Sequence, residues 1–404
     1  IEPHLNPSGL KGGGLYYDSL TDDARFTVDT VKGACAAGAL AANYMEAAGL
    51  LTENGRISGA EVIDRISGAG GVVRARQVVN CAGVWVDKVR FLEEGQRSRL
   101  LRPTKGVHIT VRKKDFPLKH AVFLRSPKDQ RVVWPIPALD DDLVYIGTTD
   151  TDYNGSIDHV TATPQDIDYL LGVANFTIPE SRLGYEHIVG TWAGLRPLIK
   201  PEGELATSAV SREHKIFTSP GGLLNIAGGK LTTARIMGLQ VIDEAARLLG
   251  EVHGIHGVRP SPSGSVPLSG GEAEQIAQAA RELPRLPIRE AVRQRWLMYY
   301  GGNALRLAAI AQADPASAAP LGETAITLAE VRYAVQEEMA MTVTDFFTRR
   351  ASIFYWSTDG GLSVAEQAAA EMGRLLGWDR SEQARQIETY RAWVAANRFE
   401  PLHA

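Results

Sequence analysis

The sequence predicts a mixed α+β / α/β fold, with an antiparallel sheet in its middle and a C-terminal domain that is helical throughout. Three observations carry this. Val107, Ile109 and Val111 alternate with His108, Thr110 and Arg112, the period-two pattern of a strand with one buried face. Residues 257–271 are crowded with Gly, Pro and Ser, the composition of a linker. Beyond them apolar residues fall at three-to-four spacing, as over 328–343 and 363–376, with Gly377 placed to stop the last run.

Taken in order, residues 30–50 predict a helix, with Ala34, Gly38 and Ala41 on a small-residue face and Gly49 at its end. Residues 60–66 and 72–79 are strand-like runs separated by Ser67-Gly68-Ala69-Gly70-Gly71, a hairpin with a glycine loop, and the second ends in Asn80-Cys81-Ala82-Gly83. The runs 132–136 and 143–146 continue the antiparallel sheet around a turn at Asp140-Asp141-Asp142. Residues 223–227 form a strand that meets Gly228 and Gly229. The helix after it shares Gly238, Leu239, Ile242, Ala245, Ala246 and Leu249 on one face and stops at Gly250. The expected organisation is a first region over 1–260 with a sheet of roughly 100–215 inserted in it, a linker over 261–271 and a helical domain over 272–404.

The 404 residues carry 43 basic against 47 acidic side chains, so bulk charge gives no case for nucleic acid. Two cysteines, Cys35 and Cys81, cannot frame a disulfide scaffold or a four-cysteine zinc site. They are expected to be small buried fillers in a reducing, cytoplasmic compartment. The longest uncharged small-residue stretch, the thirteen residues between Lys32 and Glu46, is shorter than the about 20 apolar residues of a spanning helix. The chain opens at Ile1 without a signal-peptide pattern and is expected to start inside a longer protein.

Asp150, Asp152, Asn154 and Gly155 match the first half of a calcium loop, but the twelfth position is Thr161 instead of Glu and a strand precedes the loop, so no metal is expected. No Gly-x-Gly-x-x-Gly run, phosphate-loop lysine, serine elbow or zinc-protease helix occurs, which leaves hydrolase and self-sufficient dinucleotide readings without support.

Three ordered segments change the reading. They are Arg102-Pro103-Thr104-Lys105-Gly106-Val107-His108-Ile109, Gly194-Leu195-Arg196-Pro197-Leu198 and Gly228-Gly229-Lys230-Leu231-Thr232-Thr233, with Gly147-Thr148-Thr149-Asp150 between the first two. Together they resemble the FAD-dependent glycerol-3-phosphate dehydrogenases of the aerobic, quinone-linked type. The likeness runs from Tyr16, Tyr17 and Asp22-Asp23-Ala24-Arg25 through Glu337 and the 345–350 stretch to Trp378. It implies a glutathione-reductase-like, D-amino-acid-oxidase-like flavin domain, here without its first βαβ unit and glycine fingerprint, carrying an antiparallel-sheet substrate domain. Val84 stands where the family has Pro, and Ala234 where it has Tyr.

Oxidation of a secondary alcohol needs a hydride acceptor, a base for the hydroxyl proton and cations for an anionic substrate. His108, on the polar face of its strand, has an imidazole suited to proton abstraction, and the resemblance makes it catalytic. Arg196, whose backbone Pro197 biases toward an extended form, is implied as catalytic and substrate-binding. Arg212 is implied at the substrate phosphate. Lys230, at a strand-to-helix turn that favours anions, is implied at both substrate and flavin. Ala82, Gly83, Trp85, Gly228, Gly229, Leu231, Thr232 and Thr233 complete the implied cofactor set, and the two threonines can also cap the following helix.

The resemblance therefore implies oxidation of sn-glycerol 3-phosphate to dihydroxyacetone phosphate, with hydride passing to FAD and electrons to a quinone. It further implies peripheral contact with the cytoplasmic membrane and allows a homodimer. One alternative is an α-glycerophosphate oxidase that uses oxygen. Another is an inactive truncated form that acts as a non-catalytic binding protein.

Overall fold

The computed structural model describes residues 2–95, 99–138, 142–201 and 212–398. Asp140 and Asp141 of the expected turn, and 202–211 of the expected sheet insertion, lie outside them.

Helix α1 (Asp23–Ala36) starts at Asp22, whose carboxylate accepts the Arg25 N–H at 3.0 Å. It precedes an antiparallel sheet of β1 (Met45–Glu53), β2 (Arg56–Asp64) and β3 (Gly70–Arg74). The helix expected over 30–50 is thus divided. Gly38 turns the chain at φ 97°, and 45–53 go to β2, because ladder pairing with a neighbour outweighs the weak helical pattern of an Ala-rich run. The expected hairpin forms between β2 and β3, but the run 72–79 splits. Its last residues become β4 (Val79–Asn80), which joins another sheet.

After α2 (Val86–Glu94) comes the central sheet: β5 (Thr104–Arg112), β6 (Leu124–Arg125), β7 (Val132–Pro137), β8 (Leu143–Gly147), β9 (Thr151–Asp152) and β10 (Ile188–Arg196). The order is β10-β5-β8-β7-β6, with β9 against the start of β5. Helix α3 (Pro164–Thr177), opened by a Thr163–Asp166 capping box, lies on one face. There Val107, Ile109, Val111 and Ile146 are buried against Ile167, Leu170 and Ala174. A fully buried aliphatic side chain contributes about 1.5–3 kcal/mol, so this packing fixes which face of β5 is left for other work.

The third sheet, β11 (His214–Thr218), β12 (Leu224–Gly228) and β4, has β4 parallel to β12. Helix α4 (Ala234–His253) follows. It runs past Gly250 and ends at Gly254, φ 66°, where the left-handed conformation favours glycine. Its buried stripe is Val241, Ala245 and Leu248, rotated from the expected face. Ile242 is 53% exposed, because the helix carries apolar residues on two sides and the sheet covers one.

Residues 254–272 carry no helix or strand. The helical part comprises α5 (Ala273–Glu282), α6 (Glu290–Tyr300), α7 (Ala304–Ala313), α8 (Leu328–Glu338), α9 (Val343–Asp345), α10 (Ile353–Trp356), α11 (Ala365–Leu376) and α12 (Arg380–Asn397). The helix expected over 328–343 stops at Glu338, where Met339 is left-handed at φ 52°, and a π-helical turn spans Phe346–Arg350. Cys35 and Cys81 are exposed, contrary to the expected burial: the first, on α1, faces a cavity and the second follows β4.

Candidate active site

The face of the central sheet away from α3 is built by strand register. His108 pairs with Trp192 on one side and Gly147 on the other, Gly106 with Gly194, Thr110 with Tyr145, and Thr104 with Arg196. Directly opposed residues of antiparallel strands project to the same side, so His108, Trp192, Tyr145 and Arg196 share this face.

Arg196 does not point off the strand end. Its guanidinium folds back over Gly106, where a Cβ would stand 2.7 Å from Nη2 and 2.6 Å from Thr148 Oγ1, while Gly194 opposite faces open space. Two bare glycines thus form a floor between His108 and Arg196. The guanidinium donates from Nη2 to Thr148 Oγ1 (3.3 Å) and the Thr149 carbonyl (3.2 Å), and pairs through Nη1 with Asp150 at 3.3 Å. Arg212 meets the other oxygen of Asp150 at 3.5 Å.

The His108 ring stacks on Trp192 at 4.9 Å and 10°, with Tyr145 edge-on at 6.2 Å. Burial in this aromatic setting, helped by the Arg196 cation, lowers its pKa to about 4. The imidazole is therefore neutral near pH 7 and able to accept a proton. His108, Tyr145 and Trp192 line a cavity of about 1030 Å³ whose other walls include α1, the end of α8 and the 348–356 stretch of the helical part. Of the four cations and bases expected from the sequence, His108 lines this cavity. Arg196, Arg212 and Lys230 do not.

The second cluster lies at the carboxyl ends of the parallel pair β4 and β12, where open sheets of this kind receive nucleotides. Ala82, Gly83 (φ 55°) and Trp85 follow β4. Gly228 (φ 78°), Gly229 (φ 86°) and Lys230 follow β12. A Cβ on Gly228 would stand 2.6 Å from the Glu213 carbonyl and one on Gly229 3.3 Å from His214 Cβ, so the glycine turn packs on the segment just after Arg212. Lys230 and Leu231 are exposed there. The expected caps do not form: Thr233 Oγ1 donates back to the Lys230 carbonyl at 3.0 Å, and no side chain caps α4. The helix in fact begins with a 3-10 turn over Leu231–Thr233 that has no side-chain cap either, and an uncapped helix start is what an anionic or carbonyl-bearing cofactor uses, so this corner fits FAD. Trp85 donates through Nε1 to Asp158 at 2.6 Å, which ties the Ala82-Gly83 turn to the loop before α3.

The two clusters are joined at a seam of Val86, Leu101 and Ala227, with Leu100 and Ile199 packed against it. Arg212 spans it, touching Asp150 from the segment that supports the glycine turn. Sequence reasoning gave no role to Trp192, Tyr145, Thr148 or Asp150. The signal for the last two was present in the Gly147-Thr148-Thr149-Asp150 run, and for Trp192 in its place two residues before Gly194, on the same side of the strand.

Residues 1–244 match the family model described as FAD dependent oxidoreductase, and 261–383 match the C-terminal domain of alpha-glycerophosphate oxidase. The aerobic glycerol-3-phosphate dehydrogenase of Staphylococcus saprophyticus is 35% identical over 393 residues, covering 95% of this chain and 69% of the relative. That of Bacillus subtilis is 34% identical over 395 residues, covering 96% and 70%. Among solved structures, the glycerol-3-phosphate dehydrogenase of Bacillus halodurans complexed with FAD superposes with a TM-score of 0.87 at 32% identity, over all of this chain and 78% of that one.

Proposed function

Because the chain belongs to the FAD-dependent oxidoreductases, and within them to the aerobic glycerol-3-phosphate dehydrogenases, we propose that it oxidises sn-glycerol 3-phosphate to dihydroxyacetone phosphate. The observation that carries this is a neutral His108 and a partly buried Arg196 on one sheet face with a glycine floor between them.

Bound FAD supplies the acceptor for the C2 hydride. Ala82, Gly83, Trp85 and 228–233 would hold it at the ends of β4 and β12. His108 takes the C2 hydroxyl proton, and the ring stacked on Trp192 keeps its orientation without a charged partner. Arg196 faces the oxygen on which negative charge develops and, with Arg212, holds the phosphate. Lys230, at the turn that packs beside Arg212, adds charge from the cofactor side.

Arg196→Ala in the FAD-loaded protein is expected to cut kcat/KM by about a hundredfold or more, the usual scale for a lost transition-state contact. Activity within a few fold of wild type would remove Arg196 from the reaction, and a colourless protein without turnover would favour the non-catalytic alternative.

Electrons leave for a quinone in this reading. The match of 261–383 to an oxidase domain gives the oxygen-using alternative a specific footing. Hydrogen peroxide formed in air, measured against reduction of a soluble quinone analogue, separates the two. Among the described residues no helix is long and apolar enough to cross a membrane. Peripheral contact with a membrane surface, which would bring the chain to a quinone, is tested by vesicle co-sedimentation.

A further inference from the structure

Asp150 follows β8 and is 7% exposed, yet it carries no assigned role. Its carboxylate is divided between two arginines, Oδ1 to Arg196 Nη1 at 3.3 Å and Oδ2 to Arg212 Nη2 at 3.5 Å. Arg131 Nη1 donates to its backbone carbonyl, which fixes the loop it stands on. Both ion pairs are longer than the about 2.7–2.9 Å of a tight charge-assisted bond. Among the described residues Arg196 commits Nη1 once and Nη2 twice, which leaves donors from its set of five.

The two arginines come from distant stretches. Arg196 ends β10 and is also held by Thr148 and Thr149, whereas the Arg212 side chain is 44% exposed and reaches the sheet through Asp150. Two cations set side by side repel, and one anion between them offsets that repulsion while leaving a surplus positive charge. Such a pair suits a phosphoryl group, which can lie across both planar forks.

We infer that Asp150 is a positioning residue for the phosphate end of the substrate, acting through Arg212 and Arg196 by holding the two guanidinium groups together. The inference rests on the assignment of those arginines to a phosphorylated substrate. It has a sign that a simple electrostatic role does not share. A carboxylate that merely sat near the phosphate would repel it, and its neutralisation would tighten binding. A carboxylate that assembles the site loosens binding when neutralised.

The test uses the full FAD-loaded chain, with calorimetric titration of inorganic phosphate and of sn-glycerol 3-phosphate alongside steady-state kinetics. Asp150→Asn is expected to weaken phosphate binding about tenfold and to raise KM by a similar factor, with kcat within about threefold. Arg212→Ala should weaken binding about tenfold in the wild-type background but less than about twofold on top of Asp150→Asn, because both changes remove the same contact. Equal or tighter phosphate binding by Asp150→Asn, additive losses in the double variant, or no phosphate binding by the wild type each overturn the inference. If Asp150→Asn does not fold, Asp150→Glu keeps the charge and displaces it by one methylene. It is expected to weaken phosphate binding, and unchanged binding overturns the inference. A wild type that binds phosphate in this Asp150-dependent way but does not oxidise glycerol 3-phosphate would refute the proposed reaction and leave the phosphate site standing.

Discussion

Arg25 of α1 lays its guanidinium across the carboxylate of Glu338 at the end of α8, Nη1 to Oε2 at 2.7 Å and Nη2 to Oε1 at 2.8 Å. Lys32 adds a contact to Oε1 at 3.2 Å, and Asp29 meets Arg25 at 3.0 Å. The group is buried, and it ties the N-terminal helix to the helical part of the chain. Burial pushes the Glu338 carboxyl up, but Arg25 and Lys32 outweigh it and hold it below the ordinary range. Glu338→Gln leaves two buried cations short of an anion and is expected to cost about 3–5 kcal/mol in chemical denaturation. Because the folded-state pKa is depressed, this contribution is present above the ordinary carboxylate pKa and lost as pH falls through the folded value. Unchanged stability at neutral pH would refute the assignment.

His108 gives a second pH signature of the same sign for a different reason. Its folded pKa is lowered from 6.5 to about 4, so between those values the unfolded chain binds a proton that the folded chain does not. Folding stability is therefore expected to rise with pH across that window. If His108 is the base, kcat/KM should show no enzyme ionisation between about pH 5 and 7 once the substrate phosphate's own second ionisation, at pH ~6, is divided out. A titration of its ring protons by NMR with a midpoint near 6.5 would refute this.

The glycine floor can be closed by one methyl group. Gly106→Ala places its Cβ 2.6 Å from Thr148 Oγ1 and 2.7 Å from Arg196 Nη2, and a Cβ on Gly147 would run into the His108 ring. Gly106→Ala is expected to raise KM for glycerol 3-phosphate by about tenfold or more through displaced Arg196, whereas Gly147→Ala should lower kcat through a displaced base. If steady-state kinetics find the two effects exchanged, the residue roles are reversed.

Trp192 stacks on His108 and also contacts Tyr355 at 5.5 Å and Trp356 at 5.9 Å. Trp192→Ala removes one low-dielectric wall, so the His108 pKa is expected to climb toward its ordinary value. The same NMR titration reads this out. A midpoint that stays near 4 would locate the cause of the shift elsewhere.

Local pattern determined much of this protein. The alternation at 107–111 already separated the buried face from the side bearing His108, and Gly228-Gly229-Lys230 marked a strand-to-helix turn, since each signal lies within a few residues. The order of the Arg102, Gly194 and Gly228 segments likewise carried the family. Only the tertiary structure decided that 45–53 is a strand, that Arg196 folds back over Gly106, that Asp150 gathers Arg212, and that Glu338 rather than its neighbour Glu337 receives Arg25. Those outcomes are pairings across long stretches of chain, 313 residues in the case of Arg25 and Glu338. Burial of a charge is settled by which distant partner the folded chain sets beside it, and no local periodicity encodes that.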